Sequence, residues 1–238
     1  MKRLKSDIPP NVVEQVTREF RRDGGAIYYR LADCVLNGEV VGQRMYGEEG
    51  QLVRETPLRN GLKHGRVYEW EDDGTLSLTE PYVNGKIHGT AKQYGRDGSV
   101  IGTYSLRHGT GYDIWRVEDE DGAIYIHEIH PLKDGLPHGY EWWLERKPHI
   151  VYEERHWHEG EYHGIEREWN NANKLRRGFP RYWIKGERVD KRKYLRAAKE
   201  DPSLPPFRLK DNSPRRKFPP EIEQLFGLRA LVPMLCGK

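Results

Sequence analysis

The sequence lacks a long apolar run. Its most apolar stretch, residues 225–236, is interrupted by Arg229 and Pro233 and is too short for a membrane helix. Hydrophobic residues make up only 36% of the 238-residue chain, while charged residues make up 32%. This composition excludes a membrane-spanning protein and leaves too little aliphatic material for one thick-cored globular domain.

Cysteine is also scarce. Cys34 and Cys236 are the two cysteines, and they lie far apart in the chain, so a disulfide framework is not expected. The basic N-terminus is not followed by an apolar segment, and we therefore expect no signal peptide. Together these features predict a soluble protein in the cytoplasm.

Aromatic residues partly replace the missing aliphatic ones. The chain has seven Trp and 14 Tyr beside only five Phe. Rings with a polar edge suit a thin sheet, in which they pack by their faces and keep one edge near water.

A glycine-based repeat with a period of about 24 residues runs through most of the sequence. Gly-x-x-x-Gly recurs with first glycines at Gly38, Gly61, Gly85, Gly135 and Gly160, degenerate copies begin at Gly109 and Gly186, and four second glycines follow a histidine. A second set, Gly50, Gly74, Gly98 and Gly122, has a strict spacing of 24. Two turn signals per unit, separated by runs with period-2 alternation, predict β-hairpins. We therefore expect a mainly β fold, an elongated single-layer antiparallel meander of about seven hairpins with short capping helices at both ends.

The repeat unit resembles a known family. The segments NGLKHGRVYEWEDDGTLSLTEPYVNG and NGKIHGTAKQYGRDGSVIGTY are similar to the MORN repeat, especially to its divergent bacterial form in YwqK-type antitoxins. The resemblance covers residues 37–190. It implies the hairpin fold and a scaffold, membrane-contact or toxin-neutralising role.

Helices are predicted outside the repeats, which gives three regions: 1–25, the array 26–190, and 191–238. Residues 11–22 place Val12, Val13, Val16 and Phe20 on one helical face, and this predicts an N-terminal capping helix. Asp190 is expected to cap a helix reaching residue 200, and residues 221–231 favour another. The six prolines in 202–220 predict an extended segment or linker.

The formal net charge of +3 is a cancellation. Residues 1–173 hold 30 acidic and 22 basic side chains, whereas residues 174–217 hold five acidic and 16 basic ones. The basic block predicts either a phosphate-binding surface, for lipid or nucleic acid, or a segment folded back on the acidic array. Its candidate contact residues are Arg176, Arg177, Lys191, Arg192, Lys193, Arg215, Arg216 and Lys217.

The sequence has no phosphate loop, nucleophile elbow, Cys-x-x-Cys pair or kinase signature. The nearest metal-like patterns, His127 with His130 and His156 with His158, lack a usual ligand set. No catalytic, cofactor or metal site is expected, and the repeat histidines are interpreted as satisfied turn residues that stack on a neighbouring ring.

Surface recognition is therefore the leading functional hypothesis. Rings on the sheet either cover it or form a groove for a protein partner, because aromatic residues are enriched in interface cores. The candidate partner-binding residues are Tyr68, Trp70, Tyr94, Trp115, Trp142, Trp143, Trp157 and Trp169. We expect a non-catalytic interaction or scaffold protein, with phosphate binding by the basic C-terminal segment as the alternative.

Overall fold

The structure is a computed structural model that describes residues 6–22, 25 and 27–227. Its contacts divide the chain into two compact units. Unit 1 runs to Ile124 and includes Pro131–Leu136, and unit 2 contains Tyr125–His130 and continues from Pro137. Within the described ranges, no helix has the length and apolar character needed to cross a bilayer.

The chain is mainly β, as the repeat predicts. The first strands in chain order are β1 Val13–Arg21, β2 Ile27–Leu36, β3 Glu39–Tyr46, β4 Leu52–Arg59, β5 Leu62–Lys63, β6 Gly65–Trp70, β7 Leu76–Val83, β8 Lys86–Ile87, β9 Gly89–Tyr94, β10 Val100–Arg107 and β11 Thr110–Glu118. The others are β12 Ile124–Lys133, β13 Leu136–Pro137, β14 Gly139–Leu144, β15 Val151–His158, β16 Glu161–Tyr162, β17 Gly164–Glu168, β18 Arg181–Ile184 and β19 Glu187–Val189. The helices are α1 Lys191–Ala197, a 3₁₀ helix Leu209–Asn212 and α2 Pro220–Gly227.

Successive strands pair antiparallel in both units, as in a meander. The pairs β3–β4, β6–β7, β9–β10 and β14–β15 each contain one irregularity next to the turn that joins their strands, for example between Glu69 and Trp70 and between Trp143 and Leu144. A bulge adds twist and bends its strand. The recurrence of the bulge shows that it belongs to the repeat.

The junction between successive hairpins explains the first glycine of each repeat. The residue before that glycine has a positive φ, 49° at Asn84 and 48° at Lys185, which is the geometry of a type I′ turn. The glycine then donates its N–H to the turn of the preceding repeat: Gly85 to the Lys63 carbonyl at 2.8 Å and Gly186 to the Tyr162 carbonyl at 2.8 Å. Neighbouring hairpins are therefore joined by their turns as well as by their strands.

The histidine of the repeat makes a second bond at the same junction. Its Nδ1 accepts the backbone N–H of the first turn residue in the next repeat. These pairs are His64 with Asn84 at 3.4 Å, His88 with His108 at 3.0 Å, His138 with Glu159 at 3.4 Å and His163 with Lys185 at 3.0 Å. In the degenerate copy, Thr110 Oγ1 accepts the N–H of Asp134 at 3.0 Å instead. These bonds confirm the interpretation of the histidines as satisfied turn residues, and the rings of His88 and His108 are in contact at a tilt, with centroids 4.1 Å apart.

Both units bury thin layers of side chains. In unit 1, Val67, Leu78, Ala91 and Tyr104 are at most 4% exposed. In unit 2, one cluster joins Ile165 and Tyr182 of the sheet to Tyr194 of α1 and Leu204 of the segment that follows. The last part of the chain thus completes the core of unit 2.

The prediction of an N-terminal helix is wrong. Residues 13–21 form β1, which pairs with β2 from Val13 opposite Val35 to Phe20 opposite Tyr29. An open edge of β2 would leave a row of backbone groups unpaired, and β-branched Val13, Val16 and Thr17 suit a strand. The pattern that fitted a helical face does not mark a buried face, because Val13 is 65% exposed and Val16 is 55% exposed.

The C-terminal predictions are confirmed in part. Asp190 caps α1 by accepting the N–H of Lys193 at 2.8 Å, although the helix ends at Ala197, before residue 200. The proline-rich stretch is irregular, but it is packed, since Leu204 and Phe218 are each 3% exposed. The last predicted helix begins at Pro220, and its end at residue 231 lies outside the described residues, as does Cys236.

Replacing Gly164 tests the close approach between hairpins of unit 2. Gly164 has φ +151°, and an added Cβ would lie 2.6 Å from the Cβ of His156. We expect Gly164→Ala to lower the free energy of unfolding by about 3 kcal/mol, combining backbone strain and overpacking. Gly186→Ala is the matched control: its φ of +76° is also strained but its surroundings are open, so about 1 kcal/mol is expected in denaturant titrations. Equal losses for both variants would contradict the close packing at Gly164.

Candidate functional site

Strand register in unit 2 divides its side chains into two faces. Directly opposed residues share a face and successive residues alternate. Trp142 lies opposite Ile129 and Glu154, whereas Trp143 lies opposite Glu128 and Glu153. We call the side of Trp142 the covered face and the side of Trp143 the open face.

The C-terminal segment packs on the covered face. Phe218 meets Trp142 edge to face with ring centroids 5.1 Å apart, and Trp169 donates its indole N–H to the Asn212 carbonyl at 2.8 Å. Trp142 is 8% exposed and Trp169 is 3% exposed. These two predicted partner-binding residues are therefore part of the fold beneath the segment.

A buried ion cluster holds this segment in place. Glu154 and Arg167 are each 1% exposed, and Arg167 Nη1 donates to Glu154 Oε1 at 2.5 Å. Arg216 adds a two-pronged contact to the same carboxylate, with Nε to Oε2 at 2.6 Å and Nη2 to Oε1 at 2.7 Å. Burial alone would lower the pKa of Arg167, but the charge of Glu154 raises it overall. A bidentate pair of this kind is costly to break because it leaves a buried charge uncompensated.

The open face carries a ladder of half-buried rings. Trp157 stacks on Tyr162 with centroids 4.1 Å apart, and Tyr162 stacks on Trp183 at 5.1 Å. Arg155 lies over the Trp143 ring, 4.7 Å from its centroid. On one side, Trp157 and Trp183 lie directly opposite Gly139 and Gly164, so no side chain of that strand competes with the indoles. On the other side they lie opposite Tyr162 and Arg188.

Carboxylates fix the edges of these rings. Trp157 donates its indole N–H to Glu141 Oε2 at 2.8 Å, and Trp183 donates to Glu166 Oε2 at 2.9 Å. The other oxygen of Glu141 is 2.5 Å from Nδ1 of His130. Burial raises the pKa of Glu153, although Arg155 partly opposes the shift. Each ring is thereby held in one orientation while part of its surface stays accessible.

The predicted aromatic residues thus separate into different environments. Trp143 and Trp157 are on the open face, and Trp142 and Trp169 are on the covered face. In unit 1, Tyr68 is buried and stacks on Trp70 with centroids 5.8 Å apart. Tyr94 and Trp115 line a separate cleft of unit 1.

Sequence reasoning missed Tyr162, Trp183, Glu141 and Glu166 as parts of the open face. Trp183 could have been found from its position in the repeat. Trp157 and Trp183 occupy equivalent positions, each two residues before a turn residue with positive φ, Glu159 or Lys185. Because successive residues of a strand alternate between its faces, Trp142 and Trp143 could also have been assigned to opposite faces. The carboxylates had no signal of their own, because their role depends on contacts between strands.

The predicted basic residues are partly engaged within the chain. Arg216 pairs with Glu154, Arg176 pairs with Glu168 at 2.6 Å, and Lys191 lies 4.0 Å from the centroid of Phe207. All of these residues except Arg216 are exposed, and the exposed ones without such a contact are Arg177, Arg192, Lys193, Arg215 and Lys217. The fold-back alternative therefore holds for Arg216, while phosphate binding by the other residues stays a prediction.

One histidine of unit 2 lies beside a serine hydroxyl. His163 Nε2 is 2.9 Å from Ser203 Oγ, but its Nδ1 accepts the N–H of Lys185, so the neutral ring carries its proton on Nε2. The ring therefore donates to Ser203 and is not placed to act as its base. Burial lowers the pKa of His163, although the nearby carboxylate of Asp201 partly opposes the shift. Among the described residues, no group of three or more His, Cys, Asp or Glu side chains is placed to hold a metal ion.

Two neighbouring arginines provide a test of the buried ion cluster. Arg216→Ala leaves Glu154 with one fewer partner and is expected to lower the free energy of unfolding by about 3 kcal/mol. Arg215→Ala removes an exposed cation and is expected to change it by less than about 0.5 kcal/mol. Denaturant titration of both variants measures the difference. A small effect at both positions would show that the C-terminal segment does not depend on Glu154.

No family model matches the chain, and a search of curated proteins finds no match for it.

Proposed function

We propose that this protein is a non-catalytic binding protein that holds a protein partner against the open face of unit 2. The observation that carries the proposal is the ladder of Trp157, Tyr162 and Trp183, whose two indoles are oriented by carboxylates and whose rings remain partly exposed. Large rigid rings supply contact area at a small entropic cost, and such residues dominate binding energy at interfaces.

The two faces of unit 2 support this assignment by contrast. The covered face has already packed its rings against Phe218 and Asn212 of the same chain. The open face presents the same kind of rings beside Glu141, Glu153 and Glu166. Aromatic rings are enriched in the cores of known interfaces, and here their indole N–H groups are already satisfied by Glu141 and Glu166.

The resemblance to MORN repeats gives this role a concrete form. A partner-neutralising or scaffolding protein of the antitoxin type needs a preformed surface and no catalytic residues. We place it in the cytoplasm. The free, buried thiol of Cys34 is compatible with a reducing compartment.

Variants of the open face test the proposal. A photo-crosslinking amino acid at exposed Arg188, which lies opposite Trp183 on the open face, should capture a discrete protein in lysate of the native cell. Trp183→Leu should reduce this capture at least tenfold, as expected for a central interface ring. Trp70→Leu in unit 1 is the matched control and should leave capture unchanged.

Glu166→Gln removes a carboxylate charge from the open face but is expected to leave the fold unchanged. The glutamine oxygen still accepts the indole N–H of Trp183, so thermal stability should stay near that of the parent protein. Capture that is insensitive to Trp183→Leu, or lost equally in Trp70→Leu, would contradict binding through the open face.

A further inference from the structure

A cleft of about 490 Å³ in unit 1 has no role in the proposed function. Its walls include the rings of Tyr94 and Trp115 and the aliphatic side chains of Leu76 and Ile101. Gln93 and Arg116 also line it. The cleft therefore combines apolar walls with a small number of polar groups, which is the usual composition of a ligand site.

Gln93 brings an unused hydrogen-bond donor to this cleft. The residue is 3% exposed, and its Oε1 accepts the backbone N–H of Arg116 at 3.2 Å. That bond fixes the orientation of the side-chain amide. Its Nε2 is buried and has no hydrogen-bond partner in the described part of the chain. An unpaired buried donor is destabilising because it has lost its bond to water, and a ligand acceptor would remove this cost.

Arg116 brings an uncompensated charge. Within the described ranges its guanidinium makes one hydrogen bond, from Nη1 to the Thr103 carbonyl at 3.3 Å. Burial lowers the pKa of Arg116, with no carboxylate offsetting the effect. Arg116 is partly buried, and a cation withdrawn from water is ordinarily paired with an anion.

The backbone leaves room for this side chain. A Cβ at Gly102 would lie 2.7 Å from both Cδ and Nη1 of Arg116 and 2.8 Å from Oε1 of Gln93. Because Gly102 has no side chain, the side chain of Arg116 can lie beside that of Gln93.

The acidic residues around the cleft are held by local contacts. Glu118 Oε2 accepts the N–H of Arg96 at 3.0 Å, and Asp73 Oδ1 accepts the N–H of Thr75 at 2.8 Å. Glu71 is exposed. None of these three side chains forms an ion pair with Arg116 in the described structure, so the guanidinium stays free for an anion.

We propose that this cleft binds a carboxylate attached to an aromatic group. Arg116 and the Nε2 of Gln93 would donate to the carboxylate oxygens, and Trp115 and Tyr94 would contact the ring. A guanidinium fork and an amide donor match the two oxygens of such a group. The ligand is either a free small acid or the carboxylate of a peptide that ends in an aromatic residue.

Calorimetry with defined probes tests the site. Benzoate and its neutral isostere benzamide represent the free acid, and a pentapeptide ending in Phe, with a free or an amidated C-terminus, represents the peptide. We expect saturable binding of at least one carboxylate probe and at least tenfold weaker binding of its amide counterpart. Binding of benzoate alone identifies a small acid, and binding of the peptide alone identifies a chain terminus. If neither carboxylate binds, or the amides bind equally well, the proposal is overturned.

Three variants assign the binding to these residues. Gln93→Glu keeps the acceptor for the Arg116 N–H, removes the Nε2 donor and gives Arg116 an internal carboxylate. It should weaken binding at least tenfold without lowering the melting temperature. Arg116→Gln should weaken binding to the same extent. Arg96 is another cation that lines the same cleft, so Arg96→Gln is the charge-matched control and should bind the probe as tightly as the parent does. Equal binding by the parent, Gln93→Glu and Arg116→Gln would overturn the site. The test is independent of the proposed function, because a lack of partner binding by the open face of unit 2 would leave this result unaffected.

Discussion

The fold depends on the hydrogen bonds that join the turn of one hairpin to the turn of the next. A two-residue turn with positive φ points its N–H groups away from its own hairpin, and here the previous repeat accepts two of them. One acceptor is a backbone carbonyl, and the other is Nδ1 of the repeat histidine. Each bond contributes on the order of 1 kcal/mol, but the set repeats at successive junctions and fixes how each hairpin lies on its neighbour.

Fixed junctions have a direct consequence for the surface of unit 2. Because the register of a strand decides which side each residue faces, a constant junction keeps Trp157 and Trp183 on one side along successive hairpins. Trp142, Glu154 and Arg167 stay on the other side, where Arg216 and Phe218 pack against them. The C-terminal segment packs on the covered face, and the open face is the surface that the proposed partner would contact. The same chain therefore uses aromatic rings both as core and as a candidate binding surface.

The hairpins, their period and the Asp190 cap could be predicted because they depend on local chemistry: positive-φ turns, period-2 alternation and a capping carboxylate. The N-terminal strand could not, because Val12, Val13, Val16 and Phe20 satisfy a helical spacing, and the deciding interaction is with the distant edge of β2. The partner of Arg216 could not be predicted either, because Glu154 is 62 residues away in the chain. The cleft in unit 1 depends on an amide oxygen that is used and an amide nitrogen that is not, and sequence alone contains no such information.

Amide hydrogen exchange at the turns tests the central claim most directly. Turn amides at a sheet edge ordinarily exchange fast, because water replaces any missing partner. Junction bonding predicts that His108, Gly109, Lys185 and Gly186 exchange at least tenfold more slowly than Asp73 and Asp97, which lie in the turns at the other end of the hairpins. Equally fast exchange in both sets of turns would contradict the account, because the hairpins would then be joined by their strands alone.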